Sequence, residues 1–244
     1  YTVVGLIALT SAGRIAEGTA GIFKAIEDFP AGIAILWIMV FGLFGYALFR
    51  FCSPLFDIEN EGSDAKGWGK RIGHAGSAIG HLALAWSAFK FATNRNSGGG
   101  GAQEAAAGVL GIEFGGIVIG LLGLTFFIAA FNQAKKGITG SFMNRISPQA
   151  PDFTRWIGGA GYLARAVVFV VIGWSLVGAG FLSQGSDQVK TIGDAVASLA
   201  DDGIWFTITA IGLLLFGLFS FILARYRIIP DLGSDGKVPE FRAG

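Results

Sequence analysis

Of 244 residues, one is cysteine and two are histidine. Cys52 alone closes no intrachain disulfide, and no Cys/His cluster has zinc or iron–sulfur spacing, so thiol redox chemistry and such metal centres are excluded. Charge is scarce too: 14% of residues are charged, where soluble domains carry about 25%. The formal net charge is +1, and no basic run is long enough to track a phosphate backbone, which removes nucleic acid as a partner. Nucleophile–base–orienter sets and nucleotide-binding loops are missing as well. An enzyme is the least supported class.

What the sequence has is hydrophobicity and glycine. Hydrophobic residues make up 52% of the chain and the mean hydropathy is +0.60, a composition that suits lipid as the solvent. The 39 glycines are dispersed apart from Gly98 to Gly101, and in apolar helices glycine lets neighbouring backbones approach closely.

A bilayer core needs roughly 20 apolar residues in a helix. Ala31 to Phe49, Ile72 to Phe89, Phe114 to Phe131, Ile157 to Leu182 and Ile204 to Ala224 qualify. Their flanks carry interfacial anchors such as Lys70 and Arg71, Trp205, and Arg225 with Tyr226. Tyr1 to Thr10 is apolar but half the needed length. Internal repetition resolves it: Phe41-Gly-Leu-Phe aligns with Phe216-Gly-Leu-Phe through to Arg50 and Arg225, and Leu122 to Phe131 follows the pattern more loosely. Ile72-Gly-His-Ala-Gly76 matches Ile157-Gly-Gly-Ala-Gly161, and Tyr1-Thr-Val-Val-Gly5 matches Phe169-Val-Val-Ile-Gly173. On this alignment the chain as given starts about a dozen residues inside its first helix, with its native N-terminus missing.

The expectation is an all-α polytopic membrane protein forming one transmembrane domain over residues 1–244. Its six helices make three two-helix repeats, at about 1–52, 68–136 and 153–228, followed by a cytoplasmic tail at 229–244. Basic residues set the orientation. Arg50, Lys66, Lys70, Arg71, Lys135, Lys136, Arg145, Arg155, Arg225, Arg227, Lys237 and Arg242 fall on one side, against Arg14, Lys24, Lys90, Arg95 and Lys190 on the other. The first side is cytoplasmic, and an even span count puts both termini there. Each hairpin then enters from the same face, so the repeats are parallel about a pseudo-threefold axis, unlike inverted-repeat transporters. The opposite connectors, Thr19 to Glu27, Gln103 to Leu110 and Thr191 to Ala200, are weakly amphipathic and suit either short interfacial helices or irregular links.

Gly161-Tyr-Leu-Ala-Arg165, Ala195-Val-Ala-Ser-Leu199 and the repeated Phe-Gly-Leu-Phe helix resemble the bacterial membrane family called domain of unknown function 1206, whose two-helix unit occurs three times. The resemblance covers essentially the whole chain and implies fold and a bacterial cytoplasmic (inner) or photosynthetic membrane. It implies no activity. The second repeat departs from the pattern, with Ser77-Ala-Ile-Gly-His81 in place of Gly-Tyr-x-Ala-Arg.

Ionisable groups within spans are costly and mark candidate sites. Arg165, near the cytoplasmic end of the fifth span, suits an anionic substrate, a lipid phosphate or a partner carboxylate; its bland roles are snorkelling to the headgroups or tying helix ends together. His74 and His81 lie seven apart on one face of the third span. His81, near mid-membrane, suits axial ligation of a haem or a chlorophyll-type pigment, or contact with a lipid, against a structural role in which its side chain is hydrogen-bonded to a neighbouring helix. Both histidines share a helix, so they cannot sandwich one haem. Glu113 opens the fourth span, where a carboxylate is favoured by the positive helix N-terminus. Lys90 is an interfacial anchor.

The function expected is that of a non-catalytic accessory or structural subunit, associating laterally with a larger membrane (bioenergetic) complex through glycine-rich faces such as Gly116/Gly120 and Gly73/Gly76/Gly80. Its partners are membrane lipids and other membrane proteins. The rival is a small-solute or ion transporter or channel. Mitochondrial carriers share the three-hairpin plan, but their Pro-x-Asp/Glu-x-x-Lys/Arg signature is missing.

Overall fold

A computed structural model describes residues 1–11, 15, 17–56, 64–93 and 101–228. The chain is all-helical. The main helices are α1 (Thr2–Thr10), α2 (Gly18–Glu27), α3 (Gly32–Phe56), α4 (Ala65–Ala92), α5 (Gly101–Leu110), α6 (Gly115–Thr139), α7 (Thr154–Phe181), α8 (Ile192–Ala197) and α9 (Ile204–Tyr226). Arg14, Arg95, Lys237, Arg242 and the tail at 229–244, which enter the orientation argument, lie outside the described residues.

Among the described residues four helices, α3, α6, α7 and α9, are long and apolar enough to cross a membrane. The sequence reading counts six. Of the other two, α1 has nine residues. α4 has 28 residues, ample length, but His74, His81 and its serines and glycines dilute its apolar character. The helices also outrun the apolar runs, because a helix continues until a stop signal. α3 passes Arg50 and carries Pro54 in its last turns. α4 starts at Asp64, whose carboxylate accepts from the Gly67 amide at 2.8 Å. α6 continues to Gly140, whose left-handed conformation at φ 69° closes the helix.

The chain forms two compact units, one built from residues of Tyr1–Ile22 and Gly100–Ile229, the other from residues of Phe23–Gly99. In the first, α7 packs between α6 and α9, and α1 packs on α9. The α6–α7 seam is a ladder of small residues. A methyl group added to Gly116 would lie 2.7 Å from the Gly180 carbonyl oxygen, one on Gly123 2.8 Å from that of Gly173, and one on Gly137 2.9 Å from that of Gly159. Each step of seven or fourteen along α6 is matched by an equal step backwards along α7, and buried Ala130 and Ala166 hold the vacant register position. This is antiparallel packing in heptad register, close enough that only small residues fit. Gly161 lies against Phe216, Gly212 against Ala164, and Gly5 against the backbone of Ala210 and Leu214.

In the second unit, α3 and α4 form an antiparallel pair joined at three levels. Trp37 meets Phe89 edge-on at 5.8 Å, Tyr46 meets His81 at 4.6 Å, and Arg71 Nε donates to the Pro54 carbonyl at 2.8 Å. That carbonyl lies in the last turn of α3, where helix carbonyls lack intrahelical donors, so the arginine serves as a cap supplied by the neighbouring helix.

One corner recurs. Ala31 (φ 63°), Phe114 (φ 61°) and Gly203 (φ 52°) each stand in a positive-φ conformation immediately before a long helix. In the first two corners the following glycine donates three residues back, Gly32 to Phe29 at 2.8 Å and Gly115 to Ile112 at 3.0 Å. A methyl group on either glycine would collide with the carbonyl of Ile26 or Val109, six residues upstream. The three connectors that precede these corners do contain short helices, α2, α5 and α8. Thr191 caps α8 through a reciprocal box with Asp194, whose carboxylate accepts from the Thr191 amide at 2.8 Å.

Candidate functional site

Arg165 projects from α7 into a cage of aromatic rings. Its guanidinium carbon lies 4.4 Å from the ring centre of Phe216 on α9, 4.8 Å from that of Tyr1 at the start of α1 and 5.1 Å from that of Phe169 one turn on. Tyr1 and Phe169 thus flank the same cation. Each cation–π contact contributes on the order of 0.5–2 kcal/mol, more when desolvated. The arginine therefore ties α1, α7 and α9 together. Its Nε is fully buried and has no hydrogen-bond acceptor among the described residues.

Around this cage the first unit closes one end with aromatics and backbone ties. Phe142, Phe216 and Phe219 form a buried cluster with Ile146, and Tyr162 packs against it, tilted to Phe142 at 5.0 Å and edge-on to Phe216 at 5.3 Å. The connector after α6 pairs with the end of α9. The Ser147 amide donates to the Tyr226 carbonyl at 2.8 Å and the Ile228 amide to the Arg145 carbonyl at 3.0 Å, bracketing the isolated bridge between Ile146 and Arg227. Lys136 Nζ lies 5.9 Å from the Tyr162 ring centre. The sequence reading singled out Arg165 but neither Tyr162 nor Phe216. The available signal was the Gly-Tyr-x-Ala-Arg motif itself, which sets an aromatic one helical turn before the cation.

His81 is half-buried on α4 against Tyr46. Its Nδ1 is 2.7 Å from the carbonyl oxygen of Ser77. A carbonyl only accepts, so Nδ1 carries the proton, and in the neutral ring Nε2 holds the lone pair. The expected bond to a neighbouring helix is absent from the described contacts. The donor instead reaches back four residues along its own helix, where the carbonyl's second lone pair is within range, and the neighbouring helix supplies a ring face. An imidazole with this tautomer fits axial ligation through Nε2, the chemistry a haem or chlorophyll-type pigment needs. His74 lies two turns earlier, half-buried, with a contact of its own.

Glu113 lies in the corner before α6, exposed, and α6 receives no side-chain capping bond; its N-cap is Phe114. The left-handed Phe114 turns the corner and leaves the helix start to backbone bonds, so Glu113 is a flanking charge and not a cap. Arg165 and Glu113 belong to the first unit, at opposite ends of the antiparallel pair α6 and α7, and both histidines belong to the second.

The fold defines an all-helical protein with several helices suited to a membrane. The chain belongs to the family described as Domain of Unknown Function (DUF1206), whose model matches residues 1–56, 72–140 and 160–227. It is similar to YxxB of Bacillus subtilis (strain 168), an uncharacterized protein, with 30% identity over 233 residues, covering 92% of this chain and 84% of that one. No solved structure matches it.

Proposed function

We propose that the protein is a non-catalytic subunit that associates laterally with a larger complex in a bacterial cytoplasmic or photosynthetic membrane. The observation that carries this reading is a division among its glycines. Those of α6, α7 and α9 are filled by neighbours, whereas Gly42 and Gly45 of α3 and Gly69, Gly73 and Gly80 of α4 have, among the described residues, nothing within 4 Å of where a side chain would start. Gly69, Gly73 and Gly80 fall at spacings of four and seven, one stripe of a helix. Such a face accepts another helix at close range, and in lipid small-residue faces are what helices associate through.

The proposed architecture is six spans in three parallel hairpins with both termini cytoplasmic. Three supports stand behind it: the three matched segments, the recurring corner, and a recurring neighbour relation. The second helix of one hairpin packs on the first helix of the next in α3 with α4, α6 with α7, and α9 with α1.

Purification of the natural protein in mild detergent tests the association. Co-purifying membrane subunits at fixed stoichiometry are expected. A lone stable monomer that carries a solute across vesicle membranes would overturn the reading in favour of a transporter.

A further inference from the structure

We infer that the closed end of the first unit is a binding site for a phosphate-type anion, held by Lys136, Arg145, Arg165 and Arg227 around the hydroxyl of Tyr162. The inference does not rest on the association reading, since a protein without partners would hold the anion equally well.

The platform is built rather than accidental. The two backbone bonds between the connector and the end of α9 fix Arg145 and Arg227 on paired strands of chain. The rings of Phe142, Tyr162, Phe216 and Phe219 form one cluster with neighbouring ring centres 5.0–5.9 Å apart. Lys136 reaches over Tyr162 from α6 and Arg165 reaches over Phe216 from α7. Arg145 and Arg165 both act electrostatically on Lys136, and Arg145, Arg165 and Arg227 all act on Tyr162.

Among the described residues no acidic group pairs with them. None of these four cations forms an ion pair among the described residues, and the Tyr162 hydroxyl makes no hydrogen bond there. Like charges gathered on one floor repel, and the buried Nε of half-buried Arg165 lacks an acceptor among the described residues, while Lys136, Arg145 and Arg227 are exposed where a ligand can reach them. An anion with several acceptor oxygens relieves both conditions: arginine forks match phosphate geometry and a tyrosine hydroxyl adds a donor. Basic pockets at the ends of membrane helices take lipid headgroup phosphates in this way. A free phosphate offers the same chemistry.

Native mass spectrometry of the whole chain in mild detergent, titrated with phosphatidylglycerol, phosphatidylcholine or inorganic phosphate, tests the site. The expected result is binding of phosphatidylglycerol at least tenfold tighter than phosphatidylcholine, weakened at least tenfold by Lys136→Gln with Arg145→Gln and unchanged by Lys190→Gln at the far end of α7. If inorganic phosphate shows the same sensitivity to the double variant and phosphatidylglycerol does not, the site stands and its ligand is free phosphate. Arg227→Gln, beyond the end of α9, carries the test if the double variant does not fold. Equal affinity of wild type and variants for both anions would overturn the proposal.

Discussion

Gly123 and Gly173 meet backbone to backbone. A methyl group on Gly123 would lie 2.8 Å from the Gly173 carbonyl oxygen, and one on Gly173 3.0 Å from that of Gly123. Neither helix can yield without opening the rungs above and below. Gly123→Leu is therefore expected to destabilise the first unit by about 3 kcal/mol, the upper range for overpacking, read as a fall in melting temperature in detergent. Gly42→Leu, on an open face, is expected to leave the melting temperature within about 2 °C. Equal effects would contradict the glycine division.

The left-handed corners make a second prediction. Ala31 occupies φ 63° with a side chain, which costs about 1 kcal/mol relative to glycine. Ala31→Gly should raise the melting temperature measurably, and a drop would mean that the corner differs from the one described.

These two cases also show what the sequence made legible. The four helices long and apolar enough to cross a membrane were visible because each is a nearly unbroken apolar run, and the likeness of Phe41-Gly-Leu-Phe to Phe216-Gly-Leu-Phe can be read by eye. The pairing of Gly116, Gly123 and Gly137 with Gly180, Gly173 and Gly159 was not, since glycines on two separate helices carry no mark of their register. The cage of Arg165 was half legible. Its cation and the ring of Phe169 are neighbours on one helix, but Tyr1 and Phe216 come from helices far off in sequence. The partner of His81 was misjudged because a short donor has an acceptor closer to hand, on its own helix, than any neighbour offers.

For His81, the hydrogen bond to the Ser77 carbonyl predicts the Nδ1-protonated tautomer, readable by nitrogen-15 NMR of the labelled protein. Ser77→Ala should leave it unchanged, because the acceptor is the backbone. An Nε2-protonated ring would contradict the geometry. If Nε2 ligates a pigment, the natively purified protein carries a visible band that His81→Ala removes. A colourless protein leaves the structural role.

Orientation is open to labelling in intact cells. Cysteines placed at Lys136 and Arg225 are expected to stay unlabelled by an impermeant reagent, and one at Lys190 to react. Strong labelling at position 136 would reverse the assignment of sides.

The claim that the open stripe of α4 receives another protein is tested most directly by cross-linking in the native membrane. With Cys52→Ser as background, Gly73→Cys and Gly80→Cys are expected to cross-link to a different polypeptide, giving a band of higher mass that Gly123→Cys does not give. Cross-links that join only residues of the same chain would contradict the account.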